Sequence, residues 1–293
     1  MPRKPPHRDP APTGRSPAGR GPAGRNPADR NPAGHRAAAP QPESAEPQAK
    51  LQKISGLPAV AALFAREPGR VERLYFDGRL EAQVAPYCQM LAKARKPYRL
   101  VDGEELAKIA GSPMHGGVVA AVQPKPVPEL DLGAARGWAR AGRPLLILDG
   151  IGNPHNLGAI ARTAAFFGME RLVVSDHPAQ ALPSDAAYRV SEGGLIHLDL
   201  YRAPRLPALL KGLRDSYLVV GTALGGSRPL EALAADPRPP AIVLGNEEHG
   251  LDRATLAACE AVVTLPGSGR IQSLNVAATA AIVIYGLTRG LKA

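Results

Sequence analysis

The stretch LLILDGIGNPHNLGAIARTAAFFGMERLVVSD, residues 145–176, reads as a strand, a helix and a second strand. LLILDG and RLVVSD are short runs rich in Val, Ile and Leu, the texture of parallel strands covered on both faces. Between them, at about 100° per residue, Leu157, Ile160, Ala161 and Ala164 form one apolar stripe, with Arg162 and Phe166 opposite it and one turn apart. Asn156 stands where the N-cap of a helix over residues 156–167 is expected. An Arg and a Phe facing away from the core stripe have two readings. A second subunit covers that face, or the Arg lies over the Phe in solvent.

Working downstream, further apolar runs follow: LIHLDLY, YLVVGTAL, AIVLGN and AVVTLPG. Helical stretches are expected over residues 184–192, 206–214, 251–259 and 273–289. Three runs end in glycine-containing turns, GTALGG at 221–226, GNEEHG at 245–250 and PGSG at 266–269. In open α/β sheets ligands bind beyond the carboxyl ends of the strands, and glycines there let the backbone approach them. A dinucleotide fold is disfavoured, because glycines 150, 152 and 158 do not fit GxGxxG, and GxxxxGK[ST] occurs nowhere. The last stretch, LPGSGRIQSLNVAATAAIVIYGL at 265–287, opens a helix with Ser273 and Asn275. Its apolar residues run nearly all the way round, which predicts burial on every side. Ser273 and Asn275 are caps, parts of a site, or both.

Upstream, residues 51–123 alternate helices (54–66, 80–95 and a short one at 104–110) with strands (71–77, 98–102 and 117–123), giving a small α/β domain. PKPVPELD begins a linker over 124–143, whose second half has helical character, and the second α/β domain runs from 144 to 293. Residues 1–50 contain the repeat GRSPA-GRGPA-GRNPA-DRNPA and no segment able to bury a core, so disorder is expected. The tail carries nine Lys and Arg against four Asp and Glu, half of the chain's formal charge of +10. That excess favours a polyanionic partner such as RNA, DNA or an anionic membrane. The longest apolar run, residues 276–287, is too short to span a bilayer. Cys88 and Cys259 form neither a CxxC pair nor a disulfide framework, so no metal site is expected and a reducing cytoplasm fits.

NLGAIARTA, IVLGNEEHGL and LPGSGRIQSLNVAATAA, in that order, resemble the three motifs of the SpoU (TrmH-like) RNA ribose methyltransferases of the SPOUT superfamily. MHGGVVAAV at 114–122 is similar to the end of the ribosomal-protein-like substrate-binding domain that many members carry. The resemblance implies a trefoil-knotted α/β methyltransferase domain, S-adenosylmethionine as methyl donor, no metal, a homodimer and an RNA substrate. Ribosomal RNA is favoured over tRNA by the small N-terminal domain. A non-catalytic RNA-binding protein on the same fold is the alternative. Carried over by position, Asn156, Arg162, Glu247, Ser273 and Asn275 are the expected catalytic set. Thr222, Ala223, Leu224 and Gly225, with Leu244, Gly245, Asn246, Leu265, Pro266, Gly267 and Leu274, are expected to hold the cofactor.

The chain departs from the family pattern at three places. Gly267 replaces an apolar residue, Gln272 replaces a Glu, and SEGG at 191–194 replaces a run of small residues. A guanidinium keeps its proton far above neutral pH, so Arg162 is expected to bind phosphate and stabilise the developing alkoxide more than to act as a base. His155 and His249 are expected to be solvated loop residues.

Overall fold

The computed structural model describes residues 50–225 and 228–290. Residues 1–49 of the expected tail and Gly226 of the first glycine turn lie outside the described residues. The N-terminal part is built from β1 (Gln52–Ser55), α1 (Leu57–Arg66), β2 (Val71–Phe76), α2 (Glu81–Lys93), β3 (Tyr98–Leu100), α3 (Gly103–Ala110) and β4 (Val118–Val122). Its four strands form one sheet in the order β1-β4-β2-β3, with only β2 and β3 parallel. The helix expected from residue 54 starts later, because β1 occupies Gln52–Ser55 and Gly56, at φ 91°, turns the chain into α1. No apolar alternation marks so short a strand.

The second part contains α4 (Leu132–Arg140), β5 (Leu145–Asp149), α5 (Pro154–Phe166), β6 (Arg171–Ser175), α6 (Asp185–Val190), β7 (Asp199–Ala203) and α7 (Leu206–Leu213). It continues with β8 (Leu218–Thr222), α8 (Leu230–Leu233), β9 (Pro240–Gly245), α9 (Arg253–Ala258), β10 (Ala261–Val263) and α10 (Val276–Thr288). Six strands form an all-parallel sheet in the order β10-β8-β9-β5-β6-β7. Leu146, Ile147 and Leu148 of β5, and Ile242, Val243 and Leu244 of β9, have no solvent exposure, as expected for strands covered on both faces. The expected stripe of α5 is also buried throughout, at Leu157, Ile160, Ala161 and Ala164. Burying Leu157 and Ile160 contributes about 1.5–3 kcal/mol each.

Three local expectations are corrected. LIHLDLY is not one strand: Gly194–His197 forms a 3-10 turn that buries Leu195 and Ile196, and β7 begins only at Asp199. A short apolar run does not distinguish a strand from a buried turn. The N-cap of α5 is Asn153, whose side chain accepts from the His155 amide at 2.8 Å, with Pro154 pre-set for the first helical turn. Asn156 therefore lies inside the first turn, free to point elsewhere. Finally, α10 is not buried on every side within a single chain. Ala278, Ile282, Tyr285 and Arg289, at helical spacing, form an exposed face, with Ile282 and Tyr285 44% and 53% exposed.

The segment between the sheets is not loose. The Leu130 amide donates to the Arg202 carbonyl and the Arg202 amide to the Pro128 carbonyl, each at 2.8 Å, so residues 128–130 run along the outer edge of β7. One hydrophobic cluster takes in Ile54, Leu63, Leu74 and Val122 together with Leu148, Ile160, Tyr188 and Ile196. In it β1 packs on α6, and α1 on the 3-10 turn before β7.

Candidate active site

The parallel order places β10, β8 and β9 side by side, so the loops leaving their carboxyl ends are neighbours. These loops hold residues 222–225, 245–250 and 264–269. Beside β9 runs β5, whose outgoing loop leads into α5. Gln180 fixes that loop: its Oε1 accepts from the Gly150 and Ile151 amides at 2.9 and 3.1 Å. Nothing in the local pattern around Gln180 announces this, because the bonds bridge about thirty residues.

The turn after β9 is closed by reciprocal backbone bonds, Asn246 amide to Gly250 carbonyl at 3.0 Å and Gly250 amide to Asn246 carbonyl at 2.9 Å. The Asn246 side chain ties the turn to the first loop. Its Nδ2 donates to the Gly150 carbonyl at 2.7 Å, while Oδ1 accepts from the Glu248 and His249 amides. Gly245 is required at the base of the turn, since a Cβ there would lie 2.4 Å from the Gly250 carbonyl carbon and the Leu251 amide nitrogen.

Glu247 projects from this turn onto the start of α5. Its carboxylate accepts from Asn156 Nδ2 at 2.9 Å and from the Gly152 and Asn153 amides at 3.3 and 3.4 Å. A negative charge is favoured there by the helix N-terminus. Burial alone would raise the Glu247 carboxyl. The hydrogen bonds from Asn156 and the loop backbone outweigh it and hold the group below the ordinary carboxylate range. Asn156 Oδ1 in turn accepts from Asn275 Nδ2 at 3.2 Å, and Asn275 Oδ1 caps α10 by accepting from the Ala277 amide at 2.8 Å. Asn275 thus caps α10 and at the same time reaches across to α5. Glu247, Asn156 and Asn275, from three separate segments, form one hydrogen-bonded chain.

Other expected residues sit differently. Ser273 and Leu274 are exposed on the approach to α10, before the helix starts. Arg162 is six residues further along α5 and joins none of the three; its guanidinium pairs with Glu192 at 2.8 Å. His155 and His249 are exposed, as expected, but His155 lies in the first turn of α5 and not in a loop, because Pro154 starts the helix early. Thr222 Oγ1 donates to the Val243 carbonyl at 3.4 Å, linking the β8 and β9 edges. The three-loop edge leaves room for a cofactor with a flat aromatic ring. Leu224 and Leu274 are 59% and 53% exposed, and a Cβ added at Gly225 or Gly267 would meet nothing within 4 Å. Among the described residues no three His, Cys, Asp or Glu side chains gather as a metal site would require.

Residues 143–285 match the SpoU rRNA Methylase family, and residues 53–128 match the family described as RNA 2′-O ribose methyltransferase substrate binding. A 23S rRNA (guanosine-2′-O-)-methyltransferase of Acinetobacter baylyi is 33% identical over 82% of this chain and 98% of its own. The enzyme of the same name from Nitrosomonas europaea is 31% identical over 80% of this chain and 90% of its own. The chain belongs to the SpoU methylase family. It is an RNA ribose 2′-O-methyltransferase with an N-terminal substrate-binding domain and a C-terminal catalytic domain. Among solved structures, the SpoU methyltransferase AviRb of Streptomyces viridochromogenes in complex with AdoMet is 25% identical. It covers 83% of this chain and 91% of its own, with a TM-score of 0.66.

Proposed function

We propose that this chain uses S-adenosylmethionine to methylate a ribose 2′-hydroxyl in ribosomal RNA, working as a homodimer. The observation that carries the reading is the Glu247–Asn156–Asn275 chain, which joins the three family motifs beside an open, leucine-bordered sheet edge. The 23S rRNA methyltransferases among its relatives favour rRNA over tRNA. The excess of Lys and Arg over Asp and Glu, 36 to 26, favours a polyanion in either case.

The backbone of residues 222–225, 244–246 and 265–267, with Leu274, holds the methyl donor. When bound, that donor supplies an electrophilic methyl group on a sulfonium. Glu247 fixes Asn156 and the Gly152–Asn153 backbone, so that the amide groups of Asn156 and Asn275 orient the ribose. Ser273, exposed beside them, offers its hydroxyl to the same nucleotide. Arg162 binds the nucleotide phosphate and stabilises the charge that grows on the 2′-oxygen. Positioning is the main contribution, as the reaction is an in-line displacement.

A trefoil knot is the expected threading of this domain. The order β10-β8-β9-β5 and the return of α10 onto α5 and β9 are consistent with it. For the dimer, α5 leaves Phe166 82% exposed, and α10, packed on α5, exposes Ile282 and Tyr285. Phe167 bridges the two, its ring centroid 5.1 Å from Phe166 and 5.8 Å from Tyr285. An apolar patch of this kind marks an interface, and a second copy is its occupant. Residues 51–123 serve as the RNA-binding domain and 144–293 as the methyltransferase domain, with 124–143 between them and the basic tail as an auxiliary RNA contact. Both cysteines are free and buried, which suits a cytoplasmic protein. Among the described residues no helix is long and apolar enough to cross a membrane.

The test is transfer of a labelled methyl group from S-adenosylmethionine to rRNA and tRNA, with the product nucleoside analysed for ribose methylation. Wild type is expected to label rRNA. Arg162→Ala is expected to abolish transfer while S-adenosylhomocysteine still binds. Base-methylated product, or a fully active Arg162→Ala, would sink the reading.

A further inference from the structure

The Arg162 partner is Glu192, within the SEGG segment where this chain departs from its family's run of small residues. Three observations meet there. The first is the ion pair, Arg162 Nη2 to Glu192 Oε2 at 2.8 Å, with the side chains 57% and 51% exposed. The second is the Glu192 backbone at φ 47°, in the left-handed region that non-glycine residues rarely occupy. The third is how tightly the segment is held. A Cβ at Gly194 would lie 2.9 Å from Arg162 Cα, and one at Gly193 would lie 2.9 Å from Ala62 Cβ and 3.0 Å from the Pro58 carbonyl oxygen. The Ser191 hydroxyl donates to the Tyr188 carbonyl at 2.8 Å and accepts from the Leu195 amide at 3.2 Å.

Stability does not account for a glutamate at this position. A half-exposed ion pair contributes little to folding, and a left-handed backbone is unfavourable for any residue with a Cβ. A glycine at 192 would suit the backbone and lose the side chain that makes the ion pair. What the carboxylate does in the structure is bond Nη2 of the Arg162 guanidinium. An arginine left free on a helix surface samples many rotamers, and fixing it beforehand removes that cost from the reaction.

We infer that Glu192 is a positioning residue for the methyl-transfer reaction. Its carboxylate, presented by the 191–194 segment, sets the guanidinium of Arg162 for the nucleotide. Because the segment is wedged between α5 and α1, the substrate-binding domain supports the same orientation. The inference rests on the role proposed for Arg162.

The experiment compares wild type, Glu192→Gln, Glu192→Gly and Arg162→Ala in single-turnover methylation of rRNA, with melting temperature and S-adenosylhomocysteine affinity measured alongside. Glu192→Gln is expected to slow transfer on the order of tenfold or more with melting temperature and affinity unchanged. Glu192→Gly should be equally slow although it melts no lower than wild type. The inference is overturned if Glu192→Gln transfers at the wild-type rate, or if the glycine variant recovers it. A fully active Arg162→Ala would instead defeat the assignment of Arg162. An inactive Arg162→Ala beside a normal Glu192→Gln would defeat only that of Glu192.

Discussion

Gly245→Ala isolates the geometry on which the site depends. The added Cβ would sit 2.4 Å from the Gly250 carbonyl carbon and the Leu251 amide nitrogen, where ordinary contact begins at 3.4 Å. Both neighbours are backbone, so no side chain can swing aside, and the 246–250 turn must retreat by about 1 Å. Moved by that amount, the 2.9 Å bond from Asn156 to Glu247 lengthens to about 3.9 Å and is lost. The weaker bonds from the Gly152 and Asn153 amides are lost with it. Overpacking of this kind costs about 1–3 kcal/mol, or roughly 3–10 °C in Tm. Misplacing the site by the same distance lowers kcat/KM on the order of 10²-fold. Differential scanning fluorimetry and a filter-binding methylation assay measure the two effects. An alanine variant with wild-type Tm and rate would show that the turn is compliant, and that the Glu247–Asn156–Asn275 chain does not depend on it.

Gly267→Ala is the contrasting case. Its Cβ meets nothing within 4 Å, so Tm is expected to stay put while S-adenosylhomocysteine affinity, read by calorimetry, shifts if this loop walls the cofactor; a fall in Tm with unaltered affinity would contradict both halves. Glu247→Gln should lower stability near neutrality, because the native carboxyl is held below its ordinary value of 4.5. A depressed carboxyl contributes stability above its unfolded pKa and loses it as the pH falls through the folded one. The Tm difference between the two proteins is therefore expected to be full above about pH 4.5 and to close below it; a difference that widens in acid would reverse the sign assigned here.

The parallel sheet was legible because its strands are buried on both faces, and unbroken Val-Ile-Leu runs such as 145–148 and 242–244 have few other readings. The stripe of α5 was legible for the same reason, since its period and its burial coincide at Leu157, Ile160, Ala161 and Ala164. Elements held by partners distant in sequence were not. The strand at Gln52–Ser55 exists because β4 offers it an edge, and the turn at Gly194–His197 because α1 and α5 close over it. Asn156, Glu247 and Asn275 were singled out through their motifs, but the bonds that join them were not legible. Gln180 gave no signal, because its bonds to the Gly150 and Ile151 amides bridge about thirty residues, and the SEGG segment stood out as a departure without pointing to the pairing of Glu192 with Arg162. The N-cap was displaced by a local effect, as Pro154 starts the helix early and hands the cap to Asn153.

One feature of a single chain bears directly on the dimer. Asn156 and Arg162 are six residues apart on α5, which separates them by about 9 Å along the axis and by about 240° around it. The first faces Glu247 and the second faces Glu192, so one chain does not bring its own Arg162 to its own Glu247–Asn156–Asn275 chain. Arg162 does share an exposed face with Phe166, on the patch proposed to meet a second copy. If the two copies complete each other's sites there, mixing Arg162→Ala chains with Glu247→Ala chains by co-refolding should restore activity. Random pairing makes half of the dimers mixed, and each mixed dimer holds one intact site of two. Recovery to about one quarter of wild type is then expected from two proteins that are inactive alone. If Arg162 acted within its own chain, every site in the mixed dimer would carry a defect. The mixture would then stay as inactive as its parts, and the crossed arrangement would be refuted.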